Sequence, residues 1–137
     1  MLGAGSGTLG PVTDDTTSEP DLEQLVGDWL TVPEIAERLH VPLSRVRGML
    51  ADRELIGARV GPNRAMKVPA RFVGAEGPLP ELRGTFTVLA DGGMSDEESL
   101  RWLHTPDPTL PVGGSPVDAL LAGHKTEVRR RAMELAF

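Results

Sequence analysis

The stretch from residue 30 to residue 70 constrains the fold more than any other part of the sequence, because it carries start and stop signals for two short helices and a hairpin. In the run TVPE at 31–34, the threonine can cap a helix, the proline fits its first turn and the glutamate completes a capping box. Ile35, Ala36 and Leu39 then form an apolar stripe at helical spacing. The sequence predicts a short amphipathic helix that ends near Leu39.

A second helical pattern begins after the turn HVP at 40–42. It runs from residue 43 or 44 to residue 52 and would bury Val46, Met49 and Leu50. In many helix-turn-helix units an alanine of the first helix is followed, four residues later, by a turn residue with left-handed backbone. Ala36 and His40 take these two places, and histidine tolerates that conformation. We therefore expect a helix-turn-helix corner in which His40 is a turn residue and not a titrating group.

A β-hairpin is predicted directly after the second helix. Leu55–Val60 has the composition of a strand, GPNR at 61–64 supplies a turn, and residues 65–68 form the return strand before Pro69 ends the ladder. A hairpin in this position is the wing of a winged helix-turn-helix. The basic residues on or near its tip are Arg59, Arg64 and Lys67.

The segments before the corner differ sharply in composition. Residues 1–20 are rich in Gly, Ser, Thr, Asp and Pro and offer almost nothing to bury, so we expect a disordered acidic tail. Leu22, Leu25, Val26 and Trp29 follow at the spacing of one helix stripe, with Trp29 expected in the core. The winged helix-turn-helix domain is therefore predicted to span residues 21–75.

Residues 76–137 predict a C-terminal helical domain that packs on the first, after a looser linker at 74–80. Four helices are indicated: 82–90 before a double glycine, one opened by the capping box SDEE at 95–98 and ended before Pro106, one over 115–123, and one from 125 to the terminus. The last would turn Val128, Ala132 and Leu135 inward. The fold class is mainly α with a small β-hairpin, a winged helix-turn-helix plus a C-terminal helical bundle.

Charge is distributed unevenly along the chain, whose formal net charge is −6. Residues 1–29 carry six acids and no base, residues 30–75 carry eight bases and four acids, and residues 76–137 carry six bases and ten acids. The net-positive segment coincides with the winged domain. This coincidence favours double-stranded DNA as a partner despite the acidic total.

The outward face of the second helix follows from its buried positions. Arg47 is placed to contact a guanine edge in a major groove, and Ser44 and Arg45 lie near the helix N-terminus for phosphate or base contacts. Gly48 and Ala51 offer no polar side chain, so we predict modest sequence discrimination. The residues expected to contact phosphate or the minor groove from the hairpin are Arg59, Arg64, Lys67 and Arg71. The alternative is an ordinary solvated face.

Several classes of function are disfavoured by residues that the sequence lacks. It has no cysteine, and its three histidines are too far apart to pair on one helix turn, so we expect no metal site. It shows no nucleophile–base pair and no glycine loop for phosphate, so we expect neither an enzyme nor a cofactor. No run approaches the roughly 20 apolar residues of a membrane span, and no signal peptide is evident. We expect a cytoplasmic, nucleoid-located protein.

Two stretches carry a resemblance to known families. The strings WLTVPEIAERLHVP and LIGARVGPNRAMKVP resemble the winged helix-turn-helix of the MerR and excisionase superfamily. More specifically, KVPARFV with LADGGMSDEESLRWLHTPDPTLP and SPVDAL is similar to an actinobacterial family of small winged helix-turn-helix DNA-binding proteins, one of which is a mycobacterial substrate of a Ser/Thr protein kinase, protein kinase L. The resemblance implies a DNA-binding regulator of transcription, or nucleoid factor, without enzymatic activity.

The same resemblance implies phosphorylation by a Ser/Thr protein kinase. In the mycobacterial member a tail threonine is phosphorylated and DNA binding falls. The string GSGTL at 5–9 is similar, so Thr8 is the matching candidate, while Thr13, Thr16 and Thr17 lie in the same tail. A phosphate there would add negative charge and could repel DNA or compete for the basic face.

A rival hypothesis is a protein-interaction module. Residues 102–133, with SPV at 115–117, also resemble the C-terminal domain of some toxin-binding antitoxins, which implies protein contact and dimerisation. We favour a helical extension of the core. The run RRR at 129–131 is either a second phosphate-contacting patch or, as we expect beside Glu127 and Glu134, a solvated helix face. No heptad repeat supplies a dimer, so a homodimer stays an alternative.

Overall fold

The computed structural model describes residues 21–110 and 113–135. Within these ranges the chain forms seven α-helices and two small antiparallel sheets, which confirms the predicted fold class. The segment 1–20, with Thr8, lies outside the described residues. The helices are α1 (Leu22–Val26), α2 (Val32–Leu39), α3 (Leu43–Ala51), α4 (Pro80–Asp91), α5 (Asp96–His104), α6 (Pro116–Leu121) and α7 (Lys125–Leu135). The strands are β1 (Trp29–Thr31), β2 (Ala58–Val60), β3 (Ala65–Pro69), β4 (Val73–Gly74) and β5 (Gly77–Pro78).

Trp29 begins a strand and does not belong to the first helix. α1 ends at Val26 because Gly27 adopts a φ of 85°, a conformation that glycine reaches without strain. The chain then turns into β1, and the indole Nε1 of Trp29 donates to the carbonyl of Glu23 at 3.0 Å. The predicted helix stripe through Trp29 was therefore wrong, and the side chain is half-buried and packs against the core rather than inside it.

β3 is the central strand of a three-stranded antiparallel sheet with the order β1-β3-β2. The predicted hairpin of β2 and β3 is present, and β1 extends it, with Leu30 opposite Val68. β2 begins at Ala58 and not at the predicted Leu55, because Leu55 and Ile56 are buried in the core before the chain enters the sheet. The wing is thus a hairpin backed by a third strand.

α2 has the ends that its sequence predicts. The Thr31 hydroxyl accepts from the Glu34 amide at 3.3 Å, and the Glu34 carboxylate accepts from the Thr31 amide at 2.8 Å. The hydrogen bond from the Thr31 amide is the main cause that holds the pKa of Glu34 below its ordinary value, and the charge of Lys67 adds to the effect. The helix ends at His40, whose φ of 59° and ψ of 47° are left-handed. The prediction of His40 as the turn residue is confirmed.

The second half of the chain is a bundle of four helices. α4 packs against α5, α6 and α7, and α6 packs against α5 and α7. The segment predicted as a loose linker instead contains a short antiparallel pair, with Val73 of β4 opposite Pro78 of β5. The predicted capping box at Ser95 and Glu98 is confirmed. Local signals thus placed the helix ends correctly and missed the small sheet.

The last helix is buried over a shorter stripe than predicted. Val128 and Ala132 are buried as expected, with 0% and 2% exposure. Leu135, the last residue of α7, is 53% exposed, so its predicted inward position was wrong. The stripe ends at Ala132, one turn before the helix does.

The arginines at 129–131 differ in their surroundings. Arg129 Nη2 donates to the Glu81 carbonyl at 3.2 Å, which fastens α7 to α4. Arg131 pairs with Asp107 at 3.2 Å, in the loop after α5. Both are half-buried, so the expected solvated face was wrong for these two residues. Arg130 is exposed and pairs with Glu127 of its own helix at 2.6 Å.

The winged half and the helical half share one core. Phe72 lies in a 3-10 turn after β3, is fully buried, and packs against Phe86 of α4 with ring centroids 5.2 Å apart. The His104 ring of α5 lies 5.8 Å from the same phenyl ring. On the surface, Arg53 after α3 pairs with Asp96 at the start of α5 at 3.0 Å. The helical half therefore holds the segment that contains the wing at both of its ends, at Arg53 and at Phe72.

His104 is a core residue with 6% exposure. Its Nδ1 lies 2.8 Å from the Leu100 carbonyl. Burial lowers the pKa of the imidazole below its ordinary value, and this outweighs the opposing effect of the Leu100 hydrogen bond. The ring is therefore favoured in its neutral form, as suits its contact with Phe72.

Candidate nucleic-acid interface

α3 presents a polar face to solvent. Val46 and Met49 are buried beneath it, whereas Ser44, Arg45 and Arg47 are exposed. This division follows from the helical repeat, since residues three apart return to the same side. The three polar residues predicted to contact nucleic acid from this helix thus all lie on its accessible side.

The wing places two further arginines side by side. Arg59 of β2 and Arg64 of the following turn are both exposed, and Arg59 Nη1 donates to the Arg64 carbonyl at 3.4 Å. Arg64 adopts a left-handed φ of 55° in the turn between β2 and β3. Lys67 lies further along β3, opposite Ala58, and is half-buried. The tip of the wing therefore carries Arg59 and Arg64, with Lys67 behind them.

Arg71 is placed apart from the wing tip. It lies in the 3-10 turn after β3, and its Nη2 donates to Asp118 Oδ1 of α6 at 2.6 Å. The Ser115 amide, followed by the Arg71 guanidinium, keeps the pKa of Asp118 below its ordinary value, so this carboxylate stays charged at neutral pH. Arg71 thus joins the winged half to α6. The sequence around Arg71 did not predict this ion pair, because Asp118 lies 47 residues further along the chain.

The arginines of α3 and the wing turn keep their charges available. Within residues 21–110 and 113–135, Arg45, Arg47 and Arg64 form no ion pair. With Ser44 and Arg59, they make up the α3–wing surface. Arg53, Arg71, Arg130 and Arg131, in contrast, each form an ion pair. The exposed arginines of the described residues that form no ion pair are Arg38, Arg45, Arg47, Arg59 and Arg64 in the helix-turn-helix and wing, and Arg83 of α4.

A cleft of about 700 Å³ lies beside the wing and carries charges of both signs. Arg59 and Arg64 line it from the wing, facing Glu23 of α1 and the side chains of Glu97 and Glu98 of α5. Carboxylates on the opposite wall disfavour a phosphate inside the cleft. The cleft, which Arg101 also lines, therefore does not offer a uniformly positive surface to a polyanion.

Leu43 is a member of this region that sequence reasoning missed. It is the first residue of α3 and is 40% exposed, beside the polar side chains of Ser44 and Arg47. The apolar pattern alone gives no sign of this, because leucine is among the residues found most often in the protein interior.

The described residues contain neither a metal-ligand cluster nor a membrane-spanning helix. Between residues 21 and 110 and between 113 and 135, no group of three or more His, Asp or Glu side chains could hold a metal ion. None of the helices in these ranges is long and apolar enough to cross a membrane.

The α2–α3 corner, its left-handed turn and the hairpin that follows define a winged helix-turn-helix protein with an added helical half. Residues 11–73 match the family described as "DNA-binding protein Rv2175c, wHTH domain". Residues 79–136 match "Rv2175c C-terminal domain of unknown function". The chain belongs to the Rv2175c family, which confirms the resemblance to small actinobacterial winged helix-turn-helix proteins.

A curated relative and a solved structure support this membership. The chain is 37% identical over 117 residues to the DNA-binding protein Rv2175c of Mycobacterium tuberculosis strain H37Rv. The match covers 77% of this chain and 79% of the relative. The NMR structure of Rv2175c matches with a TM-score of 0.71 at 35% identity, covering 80% of this chain and 82% of that one. The likeness therefore extends across both halves.

Proposed function

We propose that this protein binds double-stranded DNA through the α3–wing surface. The observation that carries the proposal is the position of the exposed arginines that form no ion pair within the described residues: five of the six lie in the helix-turn-helix and the wing. The relative named a DNA-binding protein supports it. Phosphate neutralisation by such side chains supplies most non-specific affinity for DNA.

We assign a different kind of DNA contact to α3 and to the wing. α3 enters the major groove, where Arg47 contacts a guanine edge while Ser44 and Arg45 contact phosphate or bases near the helix N-terminus. Arg59, Arg64 and Lys67 contact phosphates or the minor groove from the wing. Arg71 is paired with Asp118, so in this proposal it orients the wing and does not itself contact phosphate.

We also propose that the two halves of the chain have different roles. Residues 21–75 form the DNA-contacting domain, and residues 76–137 form a helical domain that supports it. The shared contact of Phe72 with Phe86 favours this support over a detached interaction module. With few base-reading side chains, the protein acts as a moderately selective transcription regulator or nucleoid-associated factor in the cytoplasm.

Alanine substitution of Arg47 and Arg64 tests the surface. In a titration of labelled duplex at several salt concentrations, we expect Arg47→Ala to weaken binding to a preferred site by about tenfold, since one base-contacting arginine is worth about 1–3 kcal/mol. Arg64→Ala should weaken all duplexes alike and reduce the slope of log affinity against log salt by about 0.9, the loss of one phosphate contact.

Arg130→Ala is the matched control, because Arg130 is also exposed but is paired with Glu127 on α7. Its affinity and salt slope should equal those of the wild type. Full binding by the Arg47→Ala, Arg64→Ala double variant would contradict the proposed surface. No binding of the wild type at low salt would contradict the function itself.

We further propose that a phosphate on the N-terminal tail, with Thr8 the matching candidate, weakens DNA binding. Asp21, the first described residue, lines the same cleft as Arg59 and Arg64, so the described part of the chain begins beside the wing. Thr8→Glu should lower affinity about twofold to fivefold at low salt, as expected for a screened surface charge. Thr126→Glu on α7 controls for net charge, and equal effects of the two variants would count against the tail.

A further inference from the structure

Leu43 stands out on the polar side of α3. Among residues 21–75 it is the large apolar side chain that the structure leaves exposed, at 40%. The packing of α3 does not require it there, since Val46 and Met49 already anchor the helix. A single exposed leucine is common on protein surfaces, so its meaning depends on where it lies.

Its place is the N-terminus of the helix that the proposed function puts into the major groove. In docked helix-turn-helix proteins, the N-terminal residues of the second helix contact base edges. Leu43 is the first residue of α3, and Arg47 follows one turn later, so the two side chains are neighbours on the helix surface. An apolar group and a guanidinium would thus face adjacent base pairs.

The composition of α3 restricts which bases it can read. Its sequence LSRVRGMLA has no asparagine or glutamine, the usual partners of adenine, and no aspartate or glutamate, which accept from cytosine. The chemistry that α3 does offer is a guanidinium for guanine O6 and N7, a hydroxyl that suits several bases, and aliphatic carbon. The major-groove group that matches aliphatic carbon is the C5-methyl of thymine.

We propose that Leu43 contacts a thymine C5-methyl group next to the base pair that Arg47 reads. The inference rests on the proposed DNA-binding function and deepens it, because it assigns a preference for sites in which a thymine methyl and a guanine edge are neighbours in the major groove. Leu43 is then a specificity-determining residue. Its contribution comes from burial of a methyl group and not from charge.

Replacement of thymine by deoxyuridine isolates the methyl group, since uracil keeps the pairing edge and lacks only the C5-methyl. Preferred duplexes are first selected with the full-length chain from a randomised pool and then resynthesised with one deoxyuridine at a time. At one thymine position the wild type should bind about fourfold more weakly to the uracil duplex, the worth of one buried methyl group. Leu43→Ala should bind the thymine and uracil duplexes equally.

Leu121→Ala is the matched control, because Leu121 is exposed to a similar degree, 36%, on α6. It should keep the fourfold difference of the wild type. A second probe, 7-deazaguanine, removes N7 from the neighbouring guanine and should weaken the wild type but not Arg47→Ala.

The outcomes separate the two proposals. Equal binding of thymine and uracil duplexes by the wild type at every position would overturn the assignment of Leu43 while leaving DNA binding intact. A thymine preference that survives in Leu43→Ala would overturn it as well. Failure of the wild type to bind any duplex of the pool at low salt would overturn the proposed function, and the inference with it.

Discussion

Phe72→Ala is expected to lower the free energy of unfolding by about 3–5 kcal/mol, the range for truncation of a buried aromatic residue. Phe72 is fully buried, and its ring touches Phe86 of α4 and His104 of α5. Its removal loses the aromatic pair and leaves a cavity where the winged half meets the helical half. Chemical denaturation followed by circular dichroism measures the loss.

Leu121→Ala serves as the comparison, because Leu121 is exposed and surface truncations of this kind stay within about 0.5 kcal/mol. A Phe72→Ala protein as stable as this control would mean that the two halves do not depend on the shared aromatic contact. The wild type should unfold in a single transition, since one core spans both halves. Two separate transitions would contradict that core.

The helix ends could be predicted because their signals are local. A capping box involves residues that are three positions apart. The sequence around Thr31 and Ser95 therefore predicted the starts of α2 and α5 directly. His40 was placed correctly for the same reason, as a turn between two close helices. β1 could not be predicted, because three residues are too few to show alternation and Trp29 pairs with Pro69, far along the chain.

The candidate site was predictable in its exposure but not in its charge balance. The helical repeat alone put Arg47 on the outer face of α3 and Arg45 on the flank of that face. Whether an arginine is compensated depends on partners distant in sequence, as Asp118 is for Arg71 and Asp107 for Arg131. Counting charges along a segment therefore located the basic region and could not tell which of its cations are available to DNA.

Gly57→Ala is expected to destabilise the protein by about 2–3 kcal/mol, as overpacking of a tight site does. Gly57 is buried immediately before β2. A Cβ built there would overlap sterically with the main-chain carbonyl oxygen of Lys67 and would lie 3.1 Å from the Met66 sulfur. A backbone atom of the central strand cannot move aside without disturbing its pairing with β1 and β2. Thermal and denaturant unfolding measure the cost.

Gly48→Ala makes the matched substitution where the opposite sign is expected. Gly48 lies inside α3, and a Cβ at this position would meet no atom within 4 Å. Alanine in a helix interior is favoured over glycine by about 0.5–1 kcal/mol, so this variant should be more stable than the wild type. Because both variants add one methyl group, the difference between them isolates the close approach of Gly57 to β3. Equal changes in stability would mean that the backbone near Gly57 and Lys67 can shift at little cost. The wing that presents Arg59 would then be less rigidly held than its three-stranded sheet implies.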